Sequence, residues 1–503
     1  MSIAKRLASQ TVVYGVSSIV GRVLNFLLTP LYTARFPAAA FGIVTGLFAY
    51  VSFLNVLFTY GMETAYFRFA NRPGTDRQAL YNRVLTLLML SSVLLSVLVA
   101  ALAPWLMAWM DIAPGHERYI LWMALFVGLD AVAAIPFARL RLENRAVKFA
   151  AIRLANILFT VGLNLFFLLL CPDVLAGKYL PGLRPLVEQV YDPSIGVGYV
   201  FLATLAASAL QLLLLGRELL DFRPQLDWPQ LAPMWRYAYP IMLMGLAGMV
   251  NEMLDRIILP SVLPDGFYPG QSSATALGIY GACYKLSILM SLVIQAFRYA
   301  AEPFFFAQSN EKNSPRIFAL VLKWFTICCA ALFVGVSLNL DWIAPLFLKR
   351  PEYLQGLPVV PVLLLANLFL GVYVNLSVWF KLTDKTYYGT YISAGGAVLT
   401  IALNFLLIPV LGYMGSALAT LACYASMAVV CWWLGNRHFP VPYPVGRLLA
   451  WLALAVALVA LGRWLPPLGR WSDLTLHLGL SLAYLAAIWL VERPTRALRA
   501  AAA

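Results

Sequence analysis

Long apolar runs recur along this chain from one end to the other. Between charged or Pro/Gly-rich breaks there are about fourteen of them: 9–34, 41–69, 84–110, 119–138, 149–171, 195–216, 236–260, 275–307, 317–348, 357–380, 387–410, 412–435, 446–465 and 474–491. A run of about 18 or more mostly apolar residues is long enough to cross a hydrocarbon core about 30 Å thick as a helix. The pattern therefore predicts an all-α polytopic membrane protein with about 14 transmembrane helices. Composition agrees: 62% of residues are hydrophobic and 12% charged, against about 45–50% and about 25% in soluble domains. The first run is too long for the apolar region of a signal peptide, and no small-residue cleavage site follows it.

The basic residues give a direction. With the N-terminus in the cytoplasm, 25 of the 36 Lys and Arg fall on cytoplasmic flanks and 8 on outer ones, and Arg22, Arg256 and Lys285 lie within runs. That asymmetry follows the positive-inside rule and predicts both termini inside. It also accounts for the net charge of +14 without a nucleic-acid partner. The six cysteines (171, 283, 328, 329, 423, 431) fall in or beside apolar runs with no C-x-x-C pair, so they read as packing residues. The three histidines are far apart, and neither H-E-x-x-H nor a phosphate-binding G-x-x-x-x-G-K-[ST] occurs. No metal, no cofactor and no ATP-driven pump is expected. The longest outer connection, 172–194, is too rich in Pro and Gly for one long helix, and a plain loop is expected there.

The chain is doubled. Residues 142–167 align without gaps on 382–407, with identities at Leu142/Leu382, Ile152/Ile392, Thr160/Thr400, Leu163/Leu403 and Asn164/Asn404. "FGIV" at 41–44 parallels "LGIY" at 277–280, and "ATLA" occurs at 203–206 and 419–422. Runs 1–6 thus repeat as 7–12. Six is even, so both copies take the same orientation, which implies two six-helix lobes related by a pseudo-two-fold axis along the membrane normal. The expected divisions are 1–230, 231–436, and 437–503 for the two extra spans and a cytoplasmic tail. Asn164 and Asn404 are expected to hydrogen-bond between helices, and Gly42 and Gly46 to serve packing.

The stretch "GRVLNFLLTPLYTARFPAAAFGIVTGLFAY" at the start of the chain resembles bacterial polysaccharide flippases of the multidrug/oligosaccharidyl-lipid/polysaccharide (MOP) exporter superfamily. "NEMLDRIIL" at 251–259, with its Asp-Arg pair, resembles the same family, as does the arrangement of twelve doubled spans plus two. The resemblance implies a secondary flippase in the inner membrane. It would move undecaprenyl-diphosphate-linked oligosaccharide to the outer leaflet by alternating access, for cell-surface polysaccharide biosynthesis. Partners would be that lipid-linked oligosaccharide, membrane lipids, and H⁺ or Na⁺ as coupling ion. A multidrug or cation antiporter and a lipid II flippase share the architecture. A membrane polymerase or glycosyltransferase fits less well, because such enzymes carry a large polar outer loop and need no repeat.

Charges inside the runs are the candidate site, since an ionisable side chain at the bilayer centre costs about 2.5–3.5 kcal/mol on insertion scales. Arg22 is roughly 24 Å of helix from Lys5 and Arg6 and roughly 20 Å from Arg35. With it we group Asn25, Glu63, Asn251, Glu252, Asp255, Arg256, Lys285, Arg298 and Glu302. They lie on the first two helices of each lobe, which in the family fold face the central cavity. A net cationic, watered cavity would take a diphosphate, for which the planar guanidinium fork is suited. Glu252, which aligns with Arg22 when Pro30 is set on Pro260, or Glu63, is expected to neutralise Arg22 between cargoes. The opposing expectation is that Arg22–Glu252 and Asp255–Arg256 are buried ion pairs that only fix packing.

Overall fold

The computed structural model describes residues 19–109, 115–308, 313–466 and 469–492. Each apolar run is helical where described. We label the long helices α1 (19–35, with a turn at 28), α2 (Ala38–Ala70), α3 (Arg77–Ala101), α4 (Glu117–Leu142), α5 (Ala146–Leu175), α6 (Gly198–Leu214), α7 (Trp228–Val262), α8 (Ser273–Gln308), α9 (Ser314–Leu338), α10 (Val359–Leu382), α11 (Tyr387–Leu411), α12 (Tyr413–His438), α13 (Val445–Trp464) and α14 (Arg470–Val491). Among the described residues no strand occurs. In a bilayer this is the economical solution, because a helix satisfies its own backbone donors and acceptors. Eleven helices are long and apolar enough to span a membrane. Of the other three, α1 is described only from residue 19, α6 has 17 residues, and α7 is long but carries charges and three internal prolines. The chain is a multi-pass membrane protein.

Local chemistry breaks three of these helices. In α2, Tyr60 and Gly61 take left-handed conformations, φ 34° and 74°, and the helix restarts at Met62. Gly61 is needed there for a second reason: a side chain would collide with the Ala238 carbonyl of α7. In α5, Phe166–Leu170 form a π turn, the usual signature of one extra residue in an α-helix. In α10 the regular helix ends at Leu376 and a short helix, Val378–Leu382, completes it.

The helices group into two compact units. The first holds the chain up to Ala282 together with Ser393–Ser416. Within it α4 packs on α2, α3, α5 and α6, and α7 lies along α2. A close backbone approach joins α2 and α8. A Cβ on Gly42 would overlap the Ala274 carbonyl and crowd the Gly278 backbone; a Cβ on Gly278 would overlap the Ala38 carbonyl and crowd the Gly42 backbone. Ala38, Gly42 and Gly46 follow one another at four-residue steps, as do Ala274, Gly278 and Ala282, so each helix offers a stripe of small residues that lets backbones touch. Gly42 and Gly278 are the matching glycines of "FGIV" and "LGIY", and their contact is reciprocal. A two-fold relation between the copies requires that. Elsewhere in this unit Asn164 and Asn404 each donate to the carbonyl four residues back, Thr160 and Thr400, at 2.8 Å. Asn164 also accepts the Tyr32 hydroxyl of α1 at 3.0 Å, the expected bond between helices. For Asn404 that expectation fails: its amide bonds within α11, and its buried side-chain oxygen has no partner among the described residues.

The 172–194 connection is not the plain loop expected. It carries a 3₁₀ turn at Pro181–Leu183, a helix at Arg184–Val190 and a second 3₁₀ turn at Pro193–Ile195. Proline sits in the first turn of each, where its fixed φ helps and its missing N–H costs nothing. Val187 is buried with Cys171 and Val174, and this small apolar cluster holds the segment to the end of α5.

The second unit holds Cys283–Ile392 and everything from Ala417 on. Its core gathers α9, α10 and α12 around Trp379, Tyr424 and Cys431, with the Trp379 indole donating to the Cys431 carbonyl at 3.2 Å. Both helices outside the repeat, α13 and α14, pack on α9. They are tied there by Glu492, whose carboxylate takes Lys323 Nζ at 2.8 Å, Arg447 Nε at 2.7 Å and the Trp451 indole at 3.1 Å. The six cysteines are free, and all but Cys328 are buried.

Candidate functional site

Helix α7 concentrates the polar candidates, and its 3.6-residue period sorts them. Asn251 and Asp255, four residues apart, are buried on one face. Asn251 donates to the Ser393 carbonyl at 3.0 Å and accepts Thr400 at 3.3 Å, both on α11. Asp255 accepts the Tyr280 hydroxyl of α8 at 2.5 Å and its neighbour's backbone N–H at 2.9 Å. Both therefore join helices. Arg256 is buried too, 6% exposed, and its Nη1 reaches the Glu252 carbonyl at 3.1 Å and the Met253 sulfur at 2.6 Å.

Arg256 lines a partly open cleft. Its other walls are Gly42, Gly46 and Tyr50 of α2, Pro260 and Ser261 at the end of α7, Ser273, Ala274 and Leu277 of α8, and Trp109. Tyr50 and Trp109 meet edge to face with centroids 5.8 Å apart, and Trp105 stacks parallel to Trp109 at 6.1 Å. The cleft exists because the Gly42–Gly278 contact draws α2 and α8 together without side chains to fill the space beside it.

Arg22 and Asn25 stand one turn apart on the exposed side of α1, next to Gly21, which is buried against Ile157 of α5. Among the described residues the Arg22 guanidinium has no hydrogen-bond or ion-pair partner. Glu252 is likewise exposed, and its carboxylate has none either. The Arg22–Glu252 ion pair expected in the empty state is thus not formed. Glu63 does not serve Arg22 either: it is ion-paired with Arg141 of α4. The break at Tyr60–Gly61 restarts the helix at Met62, and Glu63 in its first turn meets the last turn of α4.

The remaining candidates belong to the second unit. Lys285 is half-buried on α8, and Arg298 is exposed and lines a groove with Asn375 and Lys381. The side chain of Glu302 lies outside the described residues. The structure therefore gathers Asn251, Glu252, Asp255 and Arg256 on α7, Arg22 and Asn25 on α1, and leaves Glu63 with a different partner.

Three elements escaped the sequence reading. Tyr280, Ser393 and Thr400 are ordinary residues whose roles appear only once α8 and α11 meet α7. Tyr50 is apolar enough to vanish into its run. Asp130 is different: a carboxylate near the middle of the fourth run, it carries the same signal as Arg22 and was discoverable. Its hydrogen-bond partner is Gln211 of α6, at 3.3 Å.

A family model described as "Polysaccharide biosynthesis protein" matches residues 34–176, from the end of α1 to the end of α5. No curated protein matches the sequence. Among solved structures, the lipid II flippase MurJ in an inward closed conformation superposes with a TM-score of 0.72 at 12% identity, covering 95% of this chain and 99% of that one. An inward-facing multidrug resistance MATE family transporter of the MOP superfamily gives 0.64 at 13% identity, covering 85% and 95%. The chain shares the fold of these two proteins. A third structure, the MATE multidrug transporter DinF-BH in complex with R6G, gives 0.61 at 17% identity, covering 87% and 96%. That fold agrees with the resemblance carried by "GRVLNFLLTP" and "NEMLDRIIL".

Proposed function

We propose that this protein is a secondary flippase for an anionic lipid-linked glycan. An undecaprenyl-diphosphate-linked oligosaccharide would enter from the cytoplasmic leaflet of the inner membrane and leave from the outer one. Residues 1–230 and 231–436 act as two six-helix lobes that rock about a central path, residues 437–503 brace the second lobe, and both termini face the cytoplasm. The observation that carries the reading is Arg22. A guanidinium deep in a membrane helix, exposed and without an ion partner among the described residues, is too costly against lipid. It is tolerable against water, and there it is an anion site. Arg256 beside the aromatic cleft of Tyr50 and Trp109 supplies a second cation for phosphate and flat faces for sugar rings. The family match to polysaccharide biosynthesis supports the same cargo class.

The test is reconstitution. Purified protein in liposomes should move a fluorescent lipid-diphosphate sugar between leaflets without nucleotide. Strict ATP dependence, or export of small organic cations alone, contradicts the proposal. A narrower second reading, lipid II as the cargo, is favoured by the MurJ likeness. Depletion in cells separates the two: loss of surface polysaccharide with intact walls supports the first, and arrest of wall synthesis supports the second.

A further inference from the structure

The connection from α5 to α6 is pinned at both ends. At its start, Asp173 accepts Arg35 Nη2 of α1 at 2.9 Å and Lys178 Nζ at 3.2 Å. At its end, the Tyr191 ring stacks on Tyr199 of α6 with centroids 5.0 Å apart, and the Asp192 N–H donates to the Tyr199 hydroxyl at 2.7 Å. Arg118 Nη2 and the Tyr119 hydroxyl, both of α4, donate to the carbonyls of Ser194 and Ile195 at 3.1 Å and 2.7 Å. The connection thus ties together the ends of α1, α4, α5 and α6. Between Lys178 and Val190 only Val187 is buried, against Cys171 and Val174.

What this segment leaves uncovered is apolar. Tyr179, Leu180, Leu183, Leu186 and Val190 are between 40% and 60% exposed. Leu183, Leu186, Val187 and Val190 recur at steps of three and four residues along the helical stretch 181–190. At 3.6 residues per turn they share one side, about 100° wide. Arg184, Glu188 and Gln189 lie outside it, and Arg184 Nε is paired with Glu188 at 2.8 Å. Val187 forms one edge of the apolar side and rests on the protein. Leu186 forms the other edge, and it stays exposed together with Leu183 and Val190 between them.

Large apolar side chains gathered on a firmly footed segment call for an apolar neighbour, since an exposed apolar patch marks an interaction site. The neighbour nearest to this one is lipid. The segment begins where α5 ends, and α5 is long and apolar enough to span a membrane. Leu158, Leu165 and Leu169 expose an apolar stripe along α5 towards that end. An amphipathic helix that continues from such a stripe fits a membrane interface: its apolar side sinks into the headgroup boundary and its charges stay in water. Tyrosine, here Tyr179, is enriched at that depth. We propose that residues 178–190 lie in the surface of the leaflet at the C-terminal end of α5, apolar side down, and that this lipid contact sets the depth of the four helices the connection joins. In the topology proposed above that leaflet is the outer one. The contact holds whether or not the protein is a flippase.

The experiment is a nitroxide scan of the purified protein in lipid nanodiscs. It starts from Cys328→Ser, which removes the exposed cysteine, and places single labels through Leu183→Cys, Leu186→Cys, Glu188→Cys, Gln189→Cys and Val190→Cys. Collisions with oxygen, which concentrates in the bilayer, are compared with collisions with a water-soluble nickel chelate. Labels at 183, 186 and 190 should favour oxygen, and labels at 188 and 189 should favour nickel. Equal nickel access at all five positions overturns the proposal. In liposomes, spin–spin broadening at 186 that disappears on dilution with unlabelled protein assigns the face to a second copy and also overturns it. The depth role is read from stability. Leu186→Glu and Val190→Glu should lower the thermal midpoint in nanodiscs more than in detergent, and Glu188→Gln should change it in neither. Equal losses in both media would assign the two side chains to packing within the protein, and unchanged midpoints in both would remove the depth role.

Discussion

Gly42 and Gly278 touch backbone to backbone, and they occupy the same place in the two copies of the repeat. The contact joins α2 to α8 with no side chain between them. Substituting either glycine inserts a Cβ where a carbonyl already is, and backbone cannot give way as a flexible side chain can. Gly42→Leu and Gly278→Leu should each lower the thermal midpoint of the detergent-purified protein sharply, at a cost of about 3 kcal/mol or more. Gly335→Ala, at a helical glycine with open space around it, should be neutral or slightly stabilising. Equal tolerance at Gly42 and Gly335 would contradict the contact.

Asn251 and Arg22 should separate in their phenotypes. Asn251 links α7 to Ser393 and Thr400 of α11, and interhelical bonds of this kind are worth roughly 0.6–2 kcal/mol in membranes. Asn251→Leu should reduce stability by about that amount while the surviving folded protein keeps transporting. Loss of transport at unchanged stability would instead place Asn251 in the cargo path.

Glu492 fastens α13 and α14 to α9, and this bond should respond to acid. Burial pushes its carboxyl up, but Lys323, Trp451 and Arg447 outweigh burial and hold it below the usual carboxylate range. A depressed group adds stability that is complete above the unfolded pKa of about 4.3 and is lost as pH falls through the folded value. Thermal midpoints should therefore drop below about pH 4 in the wild type and fall less steeply in Glu492→Gln, which should start lower at neutral pH. A parallel pH profile for the two proteins would rule this out.

Reporter fusions after residues 115 and 180 should read as outside and fusions after 75, 225 and 440 as inside, following the distribution of Lys and Arg. A reversed pattern would also remove the parallel repeat.

Much of the fold was legible because membrane helices are written as apolar runs, and runs need no partner to be recognised. The doubled chain was legible for the same reason, and the glycine parallel between 41–44 and 277–280 marked a contact that the structure contains. What stayed hidden depends on geometry. The π turn in α5 leaves no mark in its apolar run, and the break at Tyr60–Gly61 rests on a single glycine inside a run that otherwise reads as continuous. The helix Arg184–Val190 hid behind prolines, which forbid a long helix yet start short ones well. The partners of the candidate site were harder still. Glu63 was read as a companion of Arg22 because both are charges in neighbouring runs, whereas depth along the helix brings it to Arg141.

Arg22 is the residue on which the account turns. Its substitution removes a charge from an otherwise apolar helix and breaks no ion pair among the described residues, so folding should not suffer. Flipping of a fluorescent lipid-diphosphate sugar should be measured in liposomes for wild type, Arg22→Lys and Arg22→Ala at matched amounts of folded protein. The account predicts near-normal stability throughout, partial activity for lysine, which keeps the charge without the two-pronged donor, and loss of flipping for alanine. Wild-type flipping by a stable Arg22→Ala protein would contradict it.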